Sequence, residues 1–263
     1  RQMCIRDRCL EKARSGIIAV MDGIENWRKS PRFRCWGLIV AAGSAQRYGQ
    51  ELPKQYQLIG DVPLLQFSLN CFNAVPDIVG MVVGISAIDQ WFHSLCQAPA
   101  KCLGVFIGGA SRSETVLRGL EALTSHAEAD DWVLVHAAAR PCLRVSDLQY
   151  LIDEVVDEEA GGILAAPVWD TLKEADQHGN VHKTLCRRRV WRAMTPQMFR
   201  LGELTQALNA CSGSIADVPD EASAIERSGR PVKLVRGRDD NLKVTVEADL
   251  DRVAAILKSE DRS

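Results

Sequence analysis

The chain has 263 residues, 46% of them hydrophobic and 25% charged, with a formal net charge of −2. That length allows one large domain or two small ones, each with a full hydrophobic core, and the composition is ordinary for a soluble globular protein. The near-neutral balance gives no global argument for nucleic acid or a membrane as partner.

The charge is unevenly spread. Residues 1–35 carry nine Lys/Arg against four Asp/Glu, a net +5, and the remainder carries 23 against 30, a net −7. The first stretch reads as a basic N-terminal extension, either disordered or an artefact, and stands apart from fold reasoning. Its longest apolar run, Gly16 to Met21, is too short for a signal core or a membrane span. Nine cysteines with no Cys-x-x-Cys pair read as reduced thiols, and the expected location is the cytoplasm. Neither the cysteines nor the five histidines show ligand spacing, so no metal held by the protein is expected.

The elements follow in order. Gly37 to Ala42 is an apolar run that stops at a loop of small and polar residues, Gly43 to Gly49, with Lys54 just beyond. Small side chains let backbone N–H groups approach an anion, and Arg47 and Lys54 would neutralise it. The loop fits neither a Walker A nor a dinucleotide fingerprint, and an ordinary strand-to-helix turn stays open as a reading. Pro63 to Val75 predicts a helix, Ile78 to Ser86 a buried strand, Ile88 to Cys96 a helix and Cys102 to Ile107 a strand ending at Gly108-Gly109. Ser111 with Glu114 three residues on opens a helix to Leu123. Asp131 to His136 is a strand, Val145 to Val156 a helix and Gly162 to Val168 a strand. Trp169 to Arg189 is polar, with a turn at His178-Gly179-Asn180, and predicts a hairpin arm that a second copy would cover. A helix is expected after Pro196 and another around Glu221 to Ser228, then a strand at Val232 to Val235 and a last helix from Glu247 to Lys258.

Alternating strands and helices of these lengths predict an α/β fold, a doubly wound and mostly parallel Rossmann-like sheet with the hairpin projecting from it. Ligands of such sheets bind outside the carboxyl ends of the strands. Arg47, Lys54, Arg112, Arg140, Thr171 and Lys243 fall at or near those ends, a cationic rim suited to a substrate with several phosphates.

Seven ordered motifs carry a family resemblance: AAGSAQRYG with LPKQY (41–56), IGG (107–109) leading into the next helix, WVLVHAAARPC (132–142), GGILAAPVWDTLK (161–173), VWRAMTPQMF (190–199), DEASAIE (220–226) and DNLKVT (240–245). Over roughly residues 36 to 258 the chain resembles the 2-C-methyl-D-erythritol 4-phosphate cytidylyltransferases. The resemblance implies a nucleotidyltransferase domain over 36–258, with CTP and methylerythritol phosphate as substrates and Mg²⁺ bridging the triphosphate. It implies catalytic roles for Arg47, Lys54 and Lys243. Cytosine and ribose would be read around Ala41, Ala42, Gly43, Gly109 and Thr115. Arg140, Thr171, Arg187 and Thr195 would grip the acceptor, with the arm at about 169–189 swapped across a homodimer.

The chain departs from the family pattern at Ala137, where an acidic residue is usual between the histidine and the two alanines. Lowered activity is the expected consequence. The alternatives are a related enzyme using another polyol phosphate such as ribitol 5-phosphate, or a non-catalytic nucleotide-binding paralogue.

Overall fold

The computed structural model describes residues 33–43, 52–211, 215 and 218–260. Residues 1–32 of the basic stretch lie outside them, as does Arg47 with the rest of 44–51. The chain divides into two units, Arg1–Arg34 and Cys35–Ser263, and the second carries the elements that follow.

A seven-stranded sheet runs in the order β11-β7-β10-β6-β1-β4-β5. Its strands are β1 (Cys35–Val40), β4 (Ile78–Ile85), β5 (Cys102–Ile107), β6 (Trp132–Ala137), β7 (Gly162–Pro167), β10 (Trp191–Arg200) and β11 (Lys233–Arg236). All pairings are parallel except those of β10, which is antiparallel to both β6 and β7. The doubly wound expectation therefore holds, with one reversed strand inside it. β1 lies between β6 and β4, so the loop after it opens at the middle of the sheet's carboxyl edge.

The helices are α1 (Leu64–Ala74), α2 (Phe92–Leu95), α3 (Arg112–Leu123), α4 (Val145–Val155), α5 (Leu201–Ala210), α6 (Glu221–Arg227) and α7 (Ala248–Glu260). Residues at alternate positions along the strands face opposite layers. Leu38, Val82, Val133 and Val135 share a core with Val116 and Leu120 of α3 and with Leu204 and Leu208 of α5. α1 and α4 pack on each other, α1 also against β4, and α4 against β10, β7 and β11. α7 closes a smaller core, where Val253 meets Leu64, Cys142 and Val244.

Three expectations change. The helix expected at Ile88 to Cys96 is a single turn, α2. Asp89 turns its carboxylate onto the N–H groups of Trp91 and Phe92, which starts the helix late. The helix after Pro196 starts at Leu201, because Pro196 sits inside β10. The register between β10 and β7 shifts from Ala193 to Gln197, so a residue without an N–H costs no ladder bond there. The arm is a short antiparallel hairpin, β8 (Lys173–Ala175) with β9 (Val181–Thr184), slightly later on its first side than expected. β2 (Leu58–Ile59) and β3 (Val62–Pro63) form a second small ribbon ahead of α1.

Candidate active site

The end of β1 is built first. Ala41 donates its N–H to Gly84 O at 2.8 Å, which extends the ladder one residue past the strand. Gln55, 2% exposed, donates from Nε2 to Ala41 O at 2.7 Å and reaches Gly43 O at 3.4 Å. Gln55 belongs to a 3-10 turn, Lys54–Tyr56, so Lys54 stands directly beside the strand end. Its Cε lies 4.0 Å from where a side chain on Gly43 would start.

The end of β5 comes against the same place. A Cβ on Gly108 would collide with Ala42 Cβ and lie 2.9 Å from Thr115 Oγ1, so this close approach of the two loops requires glycine. Thr115 accepts from Gly109 N at 3.0 Å and donates to Ser111 O at 2.9 Å. Ser111 caps α3 by accepting from Glu114 N, as the spacing predicts. Ala41, Ala42, Gly43, Gly108, Gly109, Thr115 and Lys54 are thus one neighbourhood.

Ala138 N donates to Val40 O at 3.1 Å and ties the loop after β6 to the end of β1. Arg140, in that loop, donates to Asn241 O at 2.6 Å and to Ala193 O at 3.4 Å, while its Nε is buried with no partner. Among the described residues no carboxylate stands within ion-pair distance of it. Burial, helped by the charges of Arg192 and Arg112, lowers its pKa to about 10. A largely buried guanidinium held by carbonyls alone is arranged for an anion. Ala193 lies at the edge of the register shift in β10.

Asn241 also donates from Nδ2 to Thr195 O at 3.0 Å, and Val244 donates its N–H to Ala139 O at 2.8 Å. Both are buried, and Lys243 between them is exposed. Val244 N bonding to Ala139 O ties this segment to Arg140's loop, and Lys243 is exposed beside it. Thr195 is 7% exposed, and its hydroxyl lies 3.0 Å from His136 Nδ1 and accepts from Ala137 N at 3.1 Å. His136 Nε2 lies 3.2 Å from Arg140 O, an acceptor only, so that nitrogen carries the proton and Nδ1 accepts from Thr195. Burial and the Arg140 charge push the imidazole down to about 3, which leaves it neutral and structural. Ala137, 8% exposed, ends β6 at this point.

Thr171 and Arg187 are placed elsewhere. They line an open concavity of about 430 Å³ at the base of the arm, with Thr184, Leu185, Cys186 and Arg188. Arg187 donates to Trp169 O. Neither Lys54 nor Arg140 is among the residues lining that concavity. Arg112, read as part of the rim, is instead committed to a bidentate pair with buried Glu221, at 2.5 and 2.8 Å. Gln55 and Asn241 hold the site together, yet the sequence reading gave neither a role. Both lie inside quoted motifs, but nothing local marks a buried glutamine or asparagine from a solvated one.

No group of three or more His, Cys, Asp or Glu among the described residues could hold a metal ion. The Ala137 side chain supplies no oxygen at the strand end. Among the described residues the donor set does not fit a metal held by side chains.

A mostly parallel α/β sheet, with glycine-bearing loops and several cations at its carboxyl edge, has the form of a nucleotide-binding protein of the doubly wound class. Residues 36–259 match the model of the IspD family, 2-C-methyl-D-erythritol 4-phosphate cytidylyltransferase. A protein of that name from Pseudomonas putida strain KT2440 is 47% identical over 217 residues, 82% of this chain and 92% of that protein. Another, from Xanthomonas campestris pv. campestris strain B100, is 44% identical over 227 residues, 86% of each chain. A crystal structure of a 4-diphosphocytidyl-2C-methyl-D-erythritol synthase is similar with a TM-score of 0.74 at 35% identity, covering 86% of this chain and 99% of that one. The Francisella tularensis 2-C-methyl-D-erythritol 4-phosphate cytidylyltransferase gives 0.73 at 32% identity, covering 85% and 99%. The chain belongs to the 2-C-methyl-D-erythritol 4-phosphate cytidylyltransferase family.

Proposed function

We propose that the chain transfers CMP from CTP to 2-C-methyl-D-erythritol 4-phosphate, giving 4-diphosphocytidyl-2-C-methyl-D-erythritol and pyrophosphate, a step in isoprenoid biosynthesis by the non-mevalonate route. One observation carries the reading. Arg140, a cation without a carboxylate partner, is tied through Ala138 and Val40 to the same sheet edge as the Ala41–Gly43 turn and Lys54, in a member of this family.

A phosphate oxygen of the acceptor attacks the α-phosphorus of CTP in line. The new P–O bond forms as the bond to the bridging oxygen of the β-phosphate breaks, and pyrophosphate leaves with that electron pair. The attacking oxygen is already anionic at neutral pH, so the chain's task is positioning and charge neutralisation. A neutral, fully engaged His136 agrees with a site that needs no histidine base. Arg47 and Lys54 hold the triphosphate, and Lys243 stands by the α-phosphate. Ala41, Ala42, Gly43, Gly109 and Thr115 receive the nucleoside. Arg140 grips the acceptor phosphate, and Thr195 acts by holding Ala137 and His136 in place. Mg²⁺ belongs to this reading as a companion of the triphosphate, with no ligand from the described residues and no step routed through it.

Thr171 and Arg187 are exposed and share a concavity at the base of the arm, which supports a homodimer in which the arm of one copy completes the site of the other. Among the described residues no helix is long and apolar enough to cross a membrane. A cytoplasmic location is part of the same proposal.

Pyrophosphate release measured with CTP, ATP, GTP and UTP, each with methylerythritol phosphate and with ribitol 5-phosphate, tests the reading. Turnover is expected with CTP and methylerythritol phosphate alone. Faster release with ribitol 5-phosphate would move the acceptor, and no release from any pair would contradict an enzymatic role. Ala137→Asp, measured alongside, is expected to release pyrophosphate about tenfold faster.

A further inference from the structure

One buried polar side chain next to the phosphate-facing turn has no part in the chemistry above. Gln55 is 2% exposed, and its amide spans the end of β1 by donating to Ala41 O at 2.7 Å and reaching Gly43 O at 3.4 Å. A trans peptide points its C=O and N–H in opposite directions. With Ala41 O drawn onto Gln55, the N–H of Ala42 faces the other way, into the open side of the turn. Among the described residues neither the Ala42 nor the Gly43 N–H has a protein acceptor. Successive amides left open at a strand end form an anion-binding concavity, and their direction depends on what holds the carbonyls.

The same turn is anchored on its other sides. Tyr56, fully buried, donates its hydroxyl to Asp89 Oδ2 at 2.7 Å. Gln57 Nε2 donates to Leu52 O at 2.8 Å. Gln55 and Gln57 therefore reach residues 43 and 52, and Lys54 directly precedes Gln55.

We infer that Gln55 is a positioning residue for the nucleotide: by holding the Ala41 carbonyl it turns the Ala42 amide toward the triphosphate, with Lys54 next to it in the same 3-10 turn. The inference rests on the CTP reading above. It differs from a purely structural role in which substrate it affects. A misaligned turn weakens CTP and leaves the acceptor, held around Arg140, unchanged.

The test is steady-state kinetics of the full chain and of Gln55→Leu, which keeps the bulk and removes both hydrogen bonds, with thermal melting of each. The expected result is a KM for CTP raised about tenfold or more, with the KM for methylerythritol phosphate within about twofold. A folded Gln55→Leu with an unchanged KM for CTP, or with both KM values raised alike, overturns the inference. Should Gln55→Leu not fold, Gln55→Met decides by the same criterion. If the unaltered chain turns over no CTP, the CTP reading fails and this inference with it. If that chain is active and the variant's CTP kinetics are normal, the positioning role alone fails.

Discussion

His136 is structural although it stands one residue from the end of β6, among the cations of the site. Its two ring nitrogens are both occupied, one by Arg140 O and one by the Thr195 hydroxyl. Burial first, and the Arg140 charge second, lower its pKa from the ordinary 6.5 to about 3. Between those values the unfolded chain binds a proton that the folded chain refuses. Stability is therefore lost as pH falls from about 6.5 toward 3, by at most about 1.4 kcal/mol per pH unit from this group. Denaturant unfolding across that range should fall less steeply for His136→Gln than for the unaltered chain, and equal slopes would show that His136 contributes nothing. At this scale the sequence shows which residue types stand at the strand ends. It does not show which of them are already partnered. Arg112 and Arg140 look alike as letters, yet Arg112 is paired with Glu221 and Arg140 has carbonyls alone.

The elements were legible wherever one period ran unbroken. β1, β4, β5, β6, β7, α1, α3 and α4 fall close to the runs of apolar residues that predict them. β10 was not legible, because Pro196 lies in its middle and suggests the start of a helix. The strand survives since its register with β7 breaks there, and Ala193, at the edge of the break, accepts from Arg140. A single deviation thus hides the element and helps build the site. The entry to β7 makes another demand that propensity does not reveal. Gly161 has φ +89°, and a Cβ there would run into the backbone oxygen of Met198 on β10. Gly161→Ala should destabilise the fold by about 3 kcal/mol, read by denaturant unfolding, because strain and overlap add. A loss under about 1 kcal/mol would mean that β7 and β10 can part there without cost.

For the whole molecule, fold class followed from the alternation of strands and helices, and family from the order of the motifs, several of which lie at strand ends. What the order could not supply was contact. Gln55 and Asn241 are 186 positions apart and brace two sides of one site, which a linear reading has no means to show. Thr171 and Arg187 share a concavity at the arm that does not include Lys54 or Arg140, which the linear order of the motifs does not reveal. The central claim is that CMP passes from CTP to the phosphate of methylerythritol phosphate. Phosphorus NMR of the chain incubated with both substrates reads this directly. The account predicts coupled diphosphate resonances of a CDP-linked alcohol growing in step with pyrophosphate. Loss of CTP to CMP or CDP with no such product would contradict it.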